Sequence, residues 1–123
     1  MARILVVDDD EQIRQMLVQT LQQAGYEVAD VTNGTEAIAA AGLVPFDLMI
    51  TDILMPETDG LEVISQLRAK CPKMRIIAIS GGGLSEIDLL PTAKLLGAVR
   101  TLYKPFELKR LLAVVTEVLE MED

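Results

Sequence analysis

Histidine and tryptophan are absent from this chain of 123 residues, and aromatic residues make up only 3% of it. The absence of histidine excludes imidazole acid–base catalysis, histidine-ligated zinc sites and Ser–His–Asp triads. The single cysteine, Cys71, cannot form an internal disulfide, which fits a reducing compartment, and we interpret it as an incidental thiol. Only 11 lysines and arginines stand against 19 acidic residues, so the formal net charge is −8. Such a chain repels phosphate backbones, and nucleic acid is not expected as a direct partner.

Long hydrophobic runs are also missing. The apolar run at residues 4–7 is too short for a signal peptide, and no segment approaches the roughly 20 apolar residues of a membrane span. We therefore predict a cytoplasmic protein without membrane insertion. The length and the hydrophobic content of 50% predict one globular domain over residues 1–123.

Short apolar runs alternate with longer amphipathic segments along the chain. The runs predict five strands, at residues 4–7, 28–31, 48–51, 76–79 and 99–103. Apolar residues at helical spacing, such as Leu17 and Leu21, predict a helix after each strand. Five strand–helix repeats indicate an α/β fold, a doubly wound parallel sheet with helices on both faces. Pro91 predicts that the fourth helix, within residues 86–96, is short, kinked or late-starting.

Polar residues directly follow four of the predicted strands: Asp8, Asp9 and Asp10, then Asp52, Ser80 and Lys104. Because ligands bind at the carboxyl ends of the strands in an open parallel sheet, we expect these side chains to meet at one edge. Clustered carboxylates repel one another and need a cation, and oxygen ligands without Cys or His favour Mg²⁺. A metal, an ammonium group and a hydroxyl together suit the stabilisation of a transferring phosphoryl group, and an aspartate can be the nucleophile.

Each of these residues also has a plain structural interpretation. Asp9 or Asp10 is a suitable N-cap for the first helix, and Asp52 is a common turn residue. Ser80 can belong to the adjoining glycine loop without further function, and Lys104 can be a surface lysine. The functional interpretation is favoured because the residues at all four strand ends suit the same chemistry, phosphoryl transfer.

Several motifs resemble those of the receiver domain of two-component response regulators, the family of the single-domain chemotaxis receiver. The motifs are Leu5-Val6-Val7-Asp8-Asp9, Asn33-Gly34-Thr35-Glu36-Ala37, Asp52-Ile53-Leu54-Met55-Pro56-Glu57-Thr58-Asp59-Gly60, Ile79-Ser80 and Lys104-Pro105-Phe106. The resemblance covers the whole chain. It implies a flavodoxin-like (βα)5 fold with strand order 2-1-3-4-5, which agrees with a site at the ends of the first and third strands.

The resemblance implies a role for each residue at the strand ends. Asp52 would accept the phosphoryl group, Ser80 would donate a hydrogen bond to a phosphoryl oxygen, and Lys104 would pair with the phosphate. The ligands of Mg²⁺ would be Asp8, largely through water, Asp9, Asp52 and the backbone carbonyl of Leu54. The Lys104–Pro105 peptide bond would be cis.

The implied function is that of a phosphoacceptor switch and not of an enzyme. A histidine kinase or histidine phosphotransfer protein would donate the phosphoryl group, because this chain has no histidine. The new charge on Asp52 would draw Ser80 inward and shift the face formed by the fourth helix, the fifth strand and the fifth helix. An unidentified downstream protein would bind that face, and the chain would be a monomer or a weak dimer.

Some positions depart from the family pattern. Thr101 stands where the family usually has an aromatic residue whose rotamer follows activation; Tyr103 lies on the same strand face, and we interpret it as a packed strand residue. Leu54 and Gly82 stand where polar side chains often act on the hydrolytic water, so we predict slow loss of the phosphoryl group. The three glycines after Ser80 predict a mobile loop in the unphosphorylated state.

Other functions with this topology are less well supported. No output domain is expected, because the sequence ends shortly after the last predicted helix. The main alternative is a pseudo-receiver that binds proteins without phosphorylation, but the complete set of acidic residues with Ser80 and Lys104 argues against it. A phosphohydrolase with an aspartate nucleophile needs a general acid where Leu54 stands, and a cap domain. A flavin carrier is disfavoured by the low aromatic content and the acidic edge.

Overall fold

The computed structural model describes residues 1–55, 58–80 and 90–121. Five parallel strands form one sheet: β1 (Arg3–Val7), β2 (Glu27–Val31), β3 (Leu48–Asp52), β6 (Arg75–Ser80) and β7 (Arg100–Tyr103). Their order in the sheet is β2-β1-β3-β6-β7. Two further short strands, β4 (Leu54–Met55) and β5 (Thr58–Asp59), form a separate antiparallel ribbon that the sequence pattern did not predict. Within the main sheet the order is 2-1-3-4-5, so the predicted topology is confirmed.

Five helices connect and follow the strands of the main sheet. They are α1 (Glu11–Gln23), α2 (Gly34–Leu43), α3 (Gly60–Lys70), α4 (Leu90–Leu96) and α5 (Leu108–Leu119). Pro91 lies at the start of the described part of α4, which has seven residues. The predicted mobile loop, residues 81–89 with Gly82, lies outside the described residues. No helix in the described part of the chain is long and apolar enough to cross a bilayer.

Strand side chains alternate between two separate cores, one on each face of the sheet. Leu5 and Met49 belong to the core under α2, α3 and α4, whereas Ile4 and Ile50 belong to the core under α1 and α5. All four side chains are at most 1% exposed. The central strands are therefore covered on both faces, which explains why they are continuous apolar runs and not alternating patterns.

The ends of α1 are fixed by short-range contacts. The Asp10 carboxylate accepts hydrogen bonds from the backbone N–H groups of Gln12 and Ile13, so Asp10 is the N-cap. At the other end, Gly25 has a φ of +99°, a left-handed conformation that suits glycine just after a helix. Of the two candidate caps, Asp10 therefore caps the helix, and the Asp9 side chain is not used for this purpose.

Two positions differ from the sequence-based expectation. Tyr103 is 50% exposed, so its interpretation as a packed strand residue is wrong. Its strand is the edge strand β7, in which the neighbouring Leu102, at 5% exposure, belongs to a core. In α1, the apolar Met16 is 38% exposed whereas Arg14 is only 9% exposed. Alternation and helical spacing predict the face on which a residue lies, but not how completely that face is covered.

Candidate functional site

The main sheet brings its polar strand ends to one edge. β1 and β3 pair in parallel with Val7 opposite Thr51, so Asp8, just after β1, and Asp52, the last residue of β3, are neighbours at this edge. Beyond β7, the backbone N–H of Lys104 donates a 2.8 Å hydrogen bond to the carbonyl of Ser80. The Lys104–Pro105 peptide bond is cis, as the resemblance implied. The predicted meeting of these strand ends is therefore confirmed.

Three carboxylates form the acidic part of the site. One oxygen from each of Asp8, Asp9 and Asp52 lies within 4.8 Å of the others. Asp8 is 1% exposed and Asp52 is 6% exposed, whereas Asp9 lies at the surface. The cluster therefore has two buried members and one member that is open to solvent.

Lys104 is the cation of the site. Its Nζ lies 2.5 Å from Oδ2 of Asp52 and 3.2 Å from Oδ2 of Asp8. Burial disfavours the ammonium form, but the hydrogen bond to Asp52 and the charges of Asp52 and Asp8 outweigh it and raise the pKa of Lys104 above its usual 10.5. Lys104 is therefore a fixed positive charge at neutral pH.

The charges of the site do not balance. Burial raises the pKa of Asp8 above its usual 3.8, and the nearby charge of Asp52 adds to this effect. The N–H of Asp10 and the ammonium of Lys104 oppose it without cancelling it. Three carboxylates face one ammonium, so the site has an excess of negative charge in a partly desolvated place. An all-oxygen donor set of this kind fits a hard divalent cation such as Mg²⁺.

The turn after Asp52 is packed against the start of α3. The Ile53 N–H donates a 3.0 Å hydrogen bond to the carbonyl of Ile79. A Cβ atom at Gly60 would lie 2.5 Å from the Cα of Ile53. Glycine is thus required at position 60 because two backbone segments approach each other closely there. The sequence pattern did not indicate this role.

The other predicted site residues have the following positions. Ser80 ends β6 and is 4% exposed, next to the acidic cluster in the sheet. Leu54 begins β4, two residues after Asp52, so its backbone lies in the adjoining ribbon. Cys71 has no disulfide partner and follows α3 at the opposite end of the sheet, away from the site. Its interpretation as an incidental thiol stays a prediction.

Arg14 is a contact residue of the site that the sequence analysis missed. Its Nη1 donates a 3.0 Å hydrogen bond to the backbone carbonyl of Asp8, and its Nε lies 2.9 Å from Oδ2 of Asp30 in β2. It lies three residues before the buried Leu17 and four residues after Asp10, and this spacing indicates that it shares the helix face that is turned toward the sheet.

Comparisons with known proteins agree with the fold. The family model described as the response regulator receiver domain matches residues 4–116. The chain is 35% identical to the response regulator receiver protein CpdR of Brucella abortus (strain 2308), over 97% of this chain and 98% of that protein. It is similar to the structure of the chemotaxis response regulator CheY4 of Vibrio cholerae, with a TM-score of 0.86 and 37% identity over 96% of this chain and 98% of that one.

A second solved structure gives the same result. The response regulator protein TrrA of Thermotoga maritima, in complex with Mg²⁺ and BeF, has a TM-score of 0.83 and is 36% identical to this chain. The match covers 96% of this chain and 99% of that one. With the family model, the relatives and the fold in agreement, the chain belongs to the response regulator receiver domains of two-component systems.

Proposed function

We propose that this receiver domain is a signalling switch that accepts a phosphoryl group on Asp52 in a Mg²⁺-dependent reaction. The observation that carries the proposal is the convergence of Asp8, Asp9 and Asp52 within 4.8 Å, with Lys104 bound to two of these carboxylates. The complex of the similar protein TrrA with Mg²⁺ and BeF supports a site of this kind. Of the three carboxylates, Asp52 is the one that ends the central strand β3, next to Lys104.

Asp52 would be the nucleophile of the transfer. One of its carboxylate oxygens forms a bond to phosphorus while the bond from phosphorus to the imidazole nitrogen of the donor breaks, and the electron pair of that bond returns to the donor. The donor is a histidine kinase or a histidine phosphotransfer protein, since this chain contains no histidine. The product is an aspartyl phosphate, and no proton has to leave Asp52 because the reacting form is the carboxylate.

The remaining residues stabilise the transferred group. Asp8, Asp9, Asp52 and the backbone carbonyl of Leu54 are the proposed holders of Mg²⁺. When bound, Mg²⁺ supplies positive charge beside the phosphoryl oxygens. Lys104 moves its hydrogen bond from Asp52 to a phosphoryl oxygen, and the hydroxyl of Ser80 donates to another. Ser80, at the end of β6, and Lys104, just beyond β7, both lie on the side of β3 opposite β1, which supports these roles.

The signal would be read on the face formed by α4, β7 and α5. Three large apolar side chains on these elements are exposed: Leu95 at 88%, Tyr103 at 50% and Leu108 at 38%. Exposed apolar side chains on one face are available for binding to a protein partner. Lys104 joins β7 to the phosphoacceptor, so a change in its hydrogen bonds reaches this face directly. The downstream partner is a protein, and the chain is a monomer or weak dimer.

Residues 1–123 act as one receiver domain in the cytoplasm, where a single free cysteine remains reduced. The domain is a phosphoacceptor and not an enzyme with turnover on a separate substrate. Direct binding of nucleic acid is opposed by the net charge of −8.

The test is the intact mass of the purified protein after incubation with acetyl phosphate and Mg²⁺. The wild type should gain one phosphoryl group, the Asp52→Asn variant none, and the Asp47→Asn variant the same as the wild type. Asp47 is a suitable control because it is an exposed aspartate that binds the N–H of Arg3 at the other end of the sheet. A wild type that binds Mg²⁺ and takes no phosphoryl group, from acetyl phosphate or from a histidine phosphotransfer protein, would contradict the proposal and favour the pseudo-receiver.

A further inference from the structure

Arg14 is a buried arginine whose guanidinium joins two strands to α1. Its side chain is 11% exposed. Nε donates a 2.9 Å hydrogen bond to Oδ2 of Asp30 in β2, and Nη1 donates a 3.0 Å hydrogen bond to the carbonyl oxygen of Asp8. Burying a guanidinium is unfavourable unless its hydrogen bonds are made. Here one partner is a carboxylate and the other is the backbone of the turn that enters the acidic site.

The hydrogen bond from Arg14 fixes the first peptide unit of that turn. The carbonyl oxygen of Asp8 belongs to the peptide group that links Asp8 to Asp9. On its other side, the N–H of Asp8 donates a 3.3 Å hydrogen bond to the carbonyl of Val31. Asp8 is therefore held from both sides, and the plane of the following peptide group is set by Arg14. This plane determines the direction in which the side chain of Asp9 leaves the backbone.

Asp9 depends on this backbone arrangement more than the other two carboxylates do. Asp8 and Asp52 are buried and are held by Lys104. The Asp9 side chain is exposed and makes no hydrogen bond or ion pair with any residue in the described part of the chain. Its place within 4.8 Å of the other carboxylates therefore comes from the turn and not from side-chain contacts.

We infer that Arg14 is a positioning residue for the metal site, which holds the Asp8–Asp9 turn so that Asp9 meets Asp8 and Asp52 at one cation. The inference rests on the proposed function, because it takes the acidic cluster to be the Mg²⁺ site. Arg14 acts through the backbone carbonyl of Asp8 and does not touch the metal. Residues that orient metal ligands in this indirect way typically contribute a factor of 10–100 to metal affinity.

The charge of Arg14 and its proposed positioning role predict opposite changes in Mg²⁺ affinity when Arg14 is replaced. A guanidinium near a cation site repels the cation, so removing its charge should tighten Mg²⁺ binding if charge were its only influence. If Arg14 positions Asp9, the same substitution should weaken Mg²⁺ binding. The Arg14→Met variant removes the charge and both hydrogen bonds while it keeps the length of an apolar side chain. The Arg14→Lys variant keeps the charge and loses the forked geometry.

The experiment measures the dissociation constant of Mg²⁺ from amide chemical shifts of the ¹⁵N-labelled protein. We expect about tenfold weaker binding for Arg14→Met and a smaller loss for Arg14→Lys. Leu21→Ala is the matched control, because it destabilises the same helix from a fully buried position without touching the turn. Its folded state should bind Mg²⁺ within about twofold of the wild type, although the variant unfolds at a lower urea concentration.

A second readout separates positioning from general damage. In phosphorylation by acetyl phosphate, the Mg²⁺ concentration for half-maximal rate should rise about tenfold in Arg14→Met, while the rate at saturating Mg²⁺ stays within about twofold of the wild type. Equal or tighter Mg²⁺ binding by Arg14→Met would overturn the inference. If Arg14→Met does not fold, unchanged affinity in Arg14→Lys overturns it instead. A wild type that binds no Mg²⁺ would refute the proposed function itself, a result that is visible before any variant is made.

Discussion

Lys104 and Asp52 are joined across the carboxyl ends of the sheet by a 2.5 Å contact between Nζ and Oδ2. The same ammonium lies 3.2 Å from Oδ2 of Asp8, so one cation is shared by two carboxylates that are each more than nine-tenths buried. Lys104 comes from the far side of the sheet, beyond β7, and Asp8 from β1. The residues proposed to carry out phosphoryl transfer therefore also contribute to the folding stability of the metal-free protein.

Replacing Lys104 with methionine should destabilise the metal-free protein. The Lys104→Met variant keeps the apolar stem but leaves Asp8 and Asp52 without their shared ammonium, which should cost about 1–3 kcal/mol. Urea unfolding in the presence of EDTA measures this loss. Lys109→Met is the control, because Lys109 is exposed on α5 and makes no ion pair in the described part of the chain, so we expect a change within about 0.5 kcal/mol. Equal effects of the two substitutions would show that the shared ammonium contributes nothing.

Asp8 should give the metal-free protein a distinct dependence on pH. Burial raises its folded-state pKa above 3.8, so proton binding favours the folded state. The resulting stabilisation is fully present below pH 3.8 and is lost as the pH rises through the higher folded-state pKa. Asp8→Asn has no such loss and keeps an oxygen for the N–H of Asp10.

The comparison of wild type and Asp8→Asn in EDTA tests this pH dependence. The free energy of unfolding of the variant, relative to the wild type, should increase from about pH 4 to about pH 7, with the variant more stable at the upper end. Saturating Mg²⁺ should reverse the order, because the cation favours the ionised carboxylate of the wild type. A variant that is less stable by the same amount at every pH would contradict the assigned cause.

The sequence predicted the main sheet and the residues at its edge for one physical reason. Both faces of β1, β3 and β6 are covered, so their sequences are nearly continuous apolar runs. The polar residue that follows each run must then lie at the carboxyl edge of the sheet. Asp8, Asp52 and Ser80 could therefore be placed together without knowledge of any contact. Lys104 followed from the same rule on the edge strand β7.

The features that the sequence did not predict depend on coverage and on close approach. The helical position of Arg14 indicates its face, but its burial depends on two partners, Asp30 in β2 and the backbone carbonyl of Asp8, that the sequence pattern does not reveal. Tyr103 ends the edge strand β7, and its 50% exposure could not be deduced from the alternation of strand residues. The strands β4 and β5 have two residues each, which is too short for any periodic pattern.

Mg²⁺ should stabilise the protein well beyond the effect of its ionic strength. A ligand that binds only the folded state adds about 2.7 kcal/mol at 100 times its dissociation constant, which should raise the melting temperature by roughly 10 °C. Sodium chloride at equal ionic strength is the control, because screening alone also relieves repulsion in a chain with a net charge of −8. The shift should be much smaller in Asp52→Asn and unchanged in Asp47→Asn. An equal shift with sodium chloride would argue against a specific site.

The aspartyl phosphate should be lost slowly. Leu54 stands two residues after Asp52, where an amide or carboxylate could orient the attacking water, and an apolar side chain cannot do so. We expect a half-life of minutes or longer for the phosphorylated wild type in Mg²⁺, measured by intact mass over time after removal of acetyl phosphate. Leu54→Asn should shorten this half-life. A half-life of only seconds in the wild type would rule out the prediction.

Gly60 should be required for both stability and phosphorylation. A Cβ atom there would lie 2.5 Å from the Cα and 2.7 Å from the carbonyl oxygen of Ile53, so α3 or the turn after Asp52 must move. The clash involves backbone atoms, which cannot rotate away as a flexible side chain can. We expect Gly60→Ala to cost about 1–3 kcal/mol of unfolding free energy, as overpacking does. Because Ile53 directly follows Asp52, the rate of phosphorylation by acetyl phosphate should also fall.

Gly42→Ala is the matched control for Gly60→Ala. Gly42 lies near the end of α2, and a Cβ atom there meets nothing within 4 Å. In a helix, alanine is favoured over glycine by about 0.5–1 kcal/mol, so this substitution should stabilise the protein and leave phosphorylation unchanged. If the free energy of unfolding falls in Gly60→Ala and rises in Gly42→Ala, Gly60 is required because its backbone approaches Ile53 closely. The general preference of helices for alanine over glycine would not explain this result. A neutral effect of Gly60→Ala would mean that α3 can move away from the turn after Asp52 at little cost.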